Sequence, residues 1–437
     1  MITIGKPFIY EENGKAYLKA AVKVSEDTAN KYAGLKKQMG KIYWRVSKEN
    51  YPPEEWKDKN FGLWFSVDKS YAQYLCDETA DAFVVALIWY AMATGSDIVS
   101  ESPVSEKLLF SINNYLVPAL CTEKNGFRRV KVNAPCHKKI FEGASGVGTG
   151  MSCGVDSLYT IHKYGDIDSP ERKLTHLTYL NAGSIFRLGD KKKKNLPIKE
   201  FYAEQEKIAE KKFIQATNAA KEVNLPVIYI NTNLDQDFYR GAYGYTAVYR
   251  NCACTLALQK LFRTYYSSSG GAPFYHALNI FEASEAYESL LCNSLSTESC
   301  TFVLSDYISR IEKTQDIADL EIAHKYLDVC YNFNNCGHCI KCYRTLIVLD
   351  FLDKLDYFKP CFDIEAYKKN RVKAYAWLLL AKSGDPQGSE TIFAKDIYRL
   401  GQIHNKKIPA TAYLYMWKKR LSNNFSKCKK KVLHLFK

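Results

Sequence analysis

Met151-Ser152-Cys153-Gly154-Val155-Asp156-Ser157 follows a glycine-rich apolar segment, Gly146-Val147-Gly148-Thr149-Gly150, and precedes a helical pattern. A strand that ends in a Gly turn and re-enters as a helix aims backbone N–H groups at one point. The helix N-terminus adds unpaired donors and the positive end of its dipole, so an anion settles there. The hydroxyls of Ser152 and Ser157 supply further donors, and Asp156 among phosphates reads as a magnesium ligand, direct or through water. Ser152, Cys153, Gly154, Val155, Asp156 and Ser157 are therefore the candidate nucleotide-binding positions.

Competing phosphate motifs fail on the same stretch. A Walker A loop requires Gly-Lys-Ser/Thr, and no lysine follows these glycines at the right place. A dinucleotide fingerprint requires a third glycine where Cys153 stands, and an acidic end to the next strand, which here closes in Leu180-Asn181. A glycine-rich strand that binds nothing is the plain alternative.

A second cluster lies far downstream. Cys330, Cys336, Cys339 and Cys342 fall within thirteen residues, three of them as Cys-x2-Cys-x2-Cys. Four thiolates can converge on one tetrahedral zinc, and Lys341 and Arg344 are placed to offset its negative charge. An iron–sulfur cluster is the chemical rival. The ferredoxin run, however, puts its fourth cysteine downstream and follows it with proline, and neither holds here. His338 reads as a solvent-facing bystander beside four thiols.

With these residues in view, the first stretch resembles the pyrophosphate loop of the PP-loop ATP pyrophosphatases, whose pattern is Ser-Gly-Gly-x-Asp-Ser. Cys153 stands where the first glycine is usual, so either that position needs no positive φ or the loop has drifted from ATP cleavage. Together with the late knuckle, Cys…Cys-Gly-x-Cys-x-x-Cys, the chain is similar to the 7-cyano-7-deazaguanine synthases of queuosine-precursor synthesis. Ser309-Arg310-Ile311-Glu312-Lys313-Thr314 looks like the lysine-initiated helix leading to that family's first zinc cysteine. The resemblance covers roughly residues 141 to 350 and implies ATP, Mg2+ and Zn2+ as cofactors. It implies cleavage between the α and β phosphates and adenylation of a carboxylate or amide on a deazapurine-like small molecule, then attack by ammonia or another nucleophile. Ser152, Gly154 and Ser157 would bind phosphate oxygens, Asp156 would position the metal, Lys313 would neutralise phosphate charge, and the zinc would be structural.

Composition fits a multidomain globular enzyme. At 437 residues, with 47% hydrophobic and 25% charged residues, two to three domains are expected. The first residues show no charged-then-apolar leader pattern, and the longest apolar run, Ala82 to Ala93, is too short to span a bilayer. Ten of the 14 cysteines lie outside the knuckle without framework spacing, so reduced thiols and a cytoplasmic location are expected. From Trp417 to Lys437 there are eight Lys/Arg and no acid, +8 of the formal +14. Such a tail can touch RNA or an anionic membrane, but a solvated end is the reading adopted, and solvation is also the default for the run Lys191 to Lys194.

The pattern predicts an α/β protein in three segments. Residues 1–140 read as an α+β accessory domain, with a hairpin turning at Asn13-Gly14 and alternating Ala16, Leu18, Ala20, Val22 and Val24. Helices are expected from near Asp68 to Gly95 and from Ser105-Glu106 toward Pro118. Residues 141–355 read as a parallel sheet covered by helices on both faces, with strands near 144–151, 174–181, 226–231 and 274–281. Helices are expected after Asp156, near 198–223 and near 244–265. Residues 356–437 read as a helical C-terminal region with the basic tail. Cys252 and Cys254, two apart on a helix, read as packing residues. Three functions remain open: the adenylating enzyme, a tRNA-modifying PP-loop enzyme using a thiol such as Cys153 or Cys252, and a non-catalytic binding protein on the same fold. A homodimer fits each of them.

Overall fold

The computed structural model describes residues 1–39, 61–122, 126–185, 197–239, 241–268, 284–330, 335–384 and 389–421. The expected strand at 274–281, the lysine run 191–194 and the tail after 421 lie outside the described residues. Two compact units form: residues 1–152 with 160–307, and residues 153–159 with 308–437.

Among the described residues the first unit holds thirteen strands: β1 (Ile2–Ile4), β2 (Phe8–Glu12), β3 (Lys15–Val24), β4 (Phe61–Asp68), β5 (Ile98–Ser100), β6 (Val104–Ser105), β7 (Val132–Asn133), β8 (Cys136–His137), β9 (Gly146–Gly150), β10 (His176–Asn181), β11 (Val227–Thr232), β12 (Phe262–Ser267) and β13 (Thr301–Leu304). Eleven of them make one sheet in the order β13-β12-β9-β10-β11-β4-β3-β1-β5-β7, with β2 on β3, while β6 and β8 pair separately. The run from β13 to β11 is parallel throughout. At β11 the sheet turns antiparallel through β4, β3 and β1, then parallel again through β5 and β7. The architecture is α/β with a mostly parallel sheet flanked by helices.

The boundaries expected at residues 140 and 355 do not coincide with these units. The strands of residues 1–140 join the sheet of the following segment because β4 pairs with β11, Thr232 opposite Phe65 and Asn231 opposite Ser66. An edge strand left by a parallel α/β sheet exposes unpaired N–H and C=O groups, and β4 satisfies them.

Local signals carried the N-terminal hairpin. Asn13 and Gly14 both adopt positive φ, 49° and 74°, as a two-residue primed turn requires. Ala16, Leu18, Ala20, Val22 and Val24 all face the core. The helix expected from Asp68 begins instead at Asp81 and runs to Thr94, closed by Gly95 at φ 66°. Asp68 ends β4 and caps a 3-10 turn by accepting from the Ser70 N–H. All fourteen residues of Asp81–Thr94 are buried, which explains an apolar run with no polar face. The helix expected to 265 stops at Leu256, and Phe262-Arg-Thr-Tyr-Tyr-Ser267 forms β12, as aromatic and β-branched residues favour.

The glycines of β9 have a packing cause. A Cβ at Gly148 would lie 2.5 Å from the Phe262 ring and 2.9 Å from Tyr265, and one at Gly146 would lie 2.8 Å from the Leu261 carbonyl. The aromatic side chains of β12 fill the space those glycines leave. β9 is also the strand where the order reverses, with β10 and β11 on one side and β12 and β13 on the other. In open parallel sheets, the carboxyl end of that strand is where ligands bind.

The second unit is helical beyond residue 308: Arg310–Asp316, Glu321–Tyr326, Ile340–Phe351, Ile364–Lys382, Ser389–Ile403 and a last helix over 410–421 that starts after Pro409. Buried Asp350 ties two of them together, accepting from Tyr367 Oη and Tyr375 Oη at 2.9 Å each and pairing with Arg371 at 2.7 Å. No described helix is long and apolar enough to cross a membrane.

Candidate functional site

The loop after β9 carries the chain out of the first unit: Met151 and Ser152 belong to it, and Cys153 to Tyr159 belong to the second. Met151 N–H donates to the Thr178 carbonyl of β10, which anchors the strand end. The helix Val155–Gly165 begins four residues after Met151, its first closing bond running from Leu158 N–H to Gly154 C=O. The expected strand–turn–helix order is thus present, and the backbone N–H groups of Val155, Asp156 and Ser157 lie in the first turn.

Cys153 corrects one expectation. Its φ is 58°, so the position does use the left-handed region that the family pattern serves with glycine. The side chain is 1% exposed, and its carbonyl accepts from Asp328 N–H at 2.8 Å. Left-handed strain on a non-glycine residue is about 1–2 kcal/mol, and losing the buried thiol and gaining glycine's chain entropy together cost a comparable amount. Cys153→Gly should therefore leave the melting temperature nearly unchanged, whereas Cys153→Val, β-branched at positive φ, should lower it clearly in a thermal melt.

Asp156 is half-buried at the start of the helix, and two cations from Arg310–Asp316 close on it. Arg310 is bidentate, with Nη2 2.6 Å from Oδ2 and Nε 3.3 Å from Oδ1, and Lys313 Nζ lies 3.6 Å from Oδ1. Ser309 positions both cations. It caps the helix in a reciprocal box with Glu312, and residues three apart then share a face. Lys313 is 1% exposed, with its ammonium 5.7 Å from the Tyr159 ring centroid. Arg344 packs its guanidinium over Phe393 at 4.5 Å and pairs with Glu390 at 3.3 Å, and Arg310 lies over the same ring at 5.3 Å. Burial alone would raise the Asp156 carboxyl, but Arg310, Lys313 and Arg344 outweigh it and hold it below its ordinary value.

The loop positions differ from expectation in detail. Both Asp156 oxygens face cations, Oδ2 toward Arg310 and Oδ1 toward Arg310 and Lys313. Ser157 is buried, and its hydroxyl donates to the Gly154 carbonyl at 3.0 Å. Ser152 is exposed. Arg310, Lys313 and Arg344 gather beside Asp156, cations that can meet a polyanion. Arg344, expected beside the thiolates, also reaches this cluster, and Arg310, quoted only within the lysine-initiated helix, is its other unexpected member; the Ser-x-x-Glu box and the Arg310/Lys313 spacing were the signals available.

The four predicted cysteines do come together. Their Sγ atoms lie within 4.8 Å of one another, with Cys330–Cys336 at 3.5 Å, Cys330–Cys339 at 3.7 Å and Cys339–Cys342 at 3.5 Å. Zinc–sulfur bonds of about 2.3 Å in a tetrahedron place sulfurs about 3.8 Å apart, so the spacing fits a metal such as zinc. His338 Nδ1 lies 2.6 Å from the Cys336 carbonyl on the exposed side and is not part of the cluster.

Backbone geometry holds the knuckle. Gly337 has φ 68°, and a Cβ there would meet the Asp363 carbonyl at 2.6 Å. Buried Asn335, at φ 40°, donates to the Leu327 and Cys361 carbonyls at 2.6 and 2.8 Å and accepts from Val329 N–H at 3.0 Å. Asn335→Ala strands one buried group, the Leu327 carbonyl, and two part-buried ones, so denaturant unfolding should show a loss of about 1–3 kcal/mol. Cys339 and Cys342 open the helix Ile340–Phe351, which also carries Arg344. The knuckle thus braces one wall of the Asp156 cluster. Comparison with protein-family models, with curated proteins and with solved structures finds no match for this chain.

Proposed function

We propose that this chain is an ATP-dependent adenylating enzyme of the PP-loop type, similar to the 7-cyano-7-deazaguanine synthases. It would release pyrophosphate while activating a carboxylate or amide of a deazapurine-like small molecule for attack by ammonia or a related nucleophile. The observation that carries this reading is Asp156 at a helix N-terminus after a glycine-rich switch strand, clamped by Arg310 and Lys313. In this reading the N–H groups of Val155 to Ser157 bind phosphate oxygens, and Arg310, Lys313 and Arg344 meet the charge that grows on the leaving pyrophosphate, which is electrostatic stabilisation where it counts most. Asp156 keeps those cations in place, and magnesium, when bound with the nucleotide, supplies further charge neutralisation. Zinc in the cysteine knuckle would be structural, with no open position.

The thiolating alternative loses support from the thiols themselves. Burial pushes Cys252 well up and holds it protonated, and Cys153 is buried as well. The non-catalytic reading is favoured by one feature, the Asp156 carboxylate being already paired. ATP–pyrophosphate exchange, with magnesium and deazaguanine carboxylates or tRNA added in turn, tests all three. Exchange stimulated by a small molecule supports the adenylating enzyme, exchange that needs tRNA supports the modifying enzyme, and no exchange with any of them supports the binding protein.

A further inference from the structure

We propose that the helix over 410–421 seats this protein on an anionic lipid surface through Leu414, Trp417 and Leu421. Ala412 and Met416 turn inward, at 0% and 7% exposure, while Leu414, Trp417 and Leu421 on the opposite side are 63%, 56% and 56% exposed. Positions i, i+3 and i+7 share one helix face, so these three form a continuous apolar stripe along the solvent side. Lys418, four residues after Leu414, stands exposed beside it. Arg420 reaches back to Ser383 Oγ and lies 5.9 Å from the Trp417 ring centroid, steadying the helix rather than covering the stripe.

Charge selects the occupant. From Trp417 onward the chain carries eight Lys/Arg and no acid. A polyanionic partner is implied, and the apolar stripe separates the candidates. RNA uses cations and stacking rings, for which Leu414 and Leu421 contribute nothing. A second copy of this chain would bring the same positive charge against itself. A lipid interface uses every part: leucines in the acyl boundary, a tryptophan at the headgroup level, and lysines over anionic headgroups. One stripe of three residues is a weak anchor alone, so binding should need both signals and be reversible. Each basic residue near the surface should then be worth roughly fivefold in affinity.

The test is co-sedimentation of the full chain with vesicles of phosphatidylcholine alone and of phosphatidylcholine mixed with phosphatidylserine. Binding is expected only to the mixture, and it should fall steeply with salt. Lys418→Gln should weaken it roughly fivefold, and Leu414→Glu with Leu421→Glu should abolish it. These positions are solvent-exposed, so the variants' melting temperatures should match the parent. Binding that ignores the leucine pair overturns the proposal, as does no binding to the mixture. Two other outcomes also overturn it: capture of a single-stranded polyuridylate probe in place of vesicles, or a concentration-dependent dimer that the leucine variants dissolve.

Discussion

Asp156→Asn is expected to cut substrate-dependent pyrophosphate formation by about a hundredfold, the scale of losing one preorganised charge-stabilising group. The amide keeps the shape of the carboxylate but no longer holds Arg310 at 2.6 Å or balances Lys313, which is almost wholly buried. Losing the carboxylate removes one charged partner from Arg310 and from Lys313, so a loss of stability should accompany the kinetic one. Assays therefore belong well below the melting temperature. Ser157→Ala, which removes only a hydroxyl bonded to Gly154, should cost less on both counts.

The sign of the pH effect follows from the same cluster. The Asp156 carboxyl is held below its ordinary value, so its stabilising contribution is present above the unfolded value of about 3.9 and is lost as pH falls through the lower folded value. The parent should thus show an acid-side stability loss that Asp156→Asn lacks. Full pyrophosphate release by the variant, or ADP and phosphate as products, would remove the adenylation reading.

The other large effect concerns the metal. The purified protein should carry about one zinc per chain, and Cys336→Ser or a strong chelator should melt the helical unit rather than merely slow turnover. Structural zinc contributes folding free energy of about 10–16 kcal/mol in small domains, so its loss exceeds ordinary domain stability. Cys361→Ser is the control. That thiol points at the Ala323 and Phe358 carbonyls and not at the cluster, so zinc should be retained. Metal analysis that returns iron, or no metal, would sink the assignment. Because Arg344 rides on the helix that Cys339 and Cys342 open, partial zinc loss should weaken pyrophosphate formation in step with helix content in circular dichroism.

What could be read from the chain was local. Asn13-Gly14 specifies its turn through two positive φ values, and the alternation after it specifies the buried face of β3. Ser105 and Gly95 mark helix ends through donors and acceptors within one turn. The cysteine cluster was legible for the same reason, since its four ligands lie within thirteen residues and one metal dictates their spacing. Long-range facts were not legible. The start of β12 fits helix or strand by local pattern alone, and the room that Gly146 and Gly148 leave for Leu261, Phe262 and Tyr265 across the sheet decides for strand. The fusion of β4 with β11 depends on hydrogen bonds between residues more than 160 positions apart. The pairing of Asp156 with Arg310 joins residues 154 apart and sets two cations against the carboxylate, a contact no local pattern announces. By itself the sequence determined turns, caps, core faces and the knuckle, because each is decided by a few neighbouring residues. Only the tertiary structure decided the sheet order and the charge state of the loop, because edge pairing and buried ion pairs depend on which distant groups chain folding brings within a few ångströms.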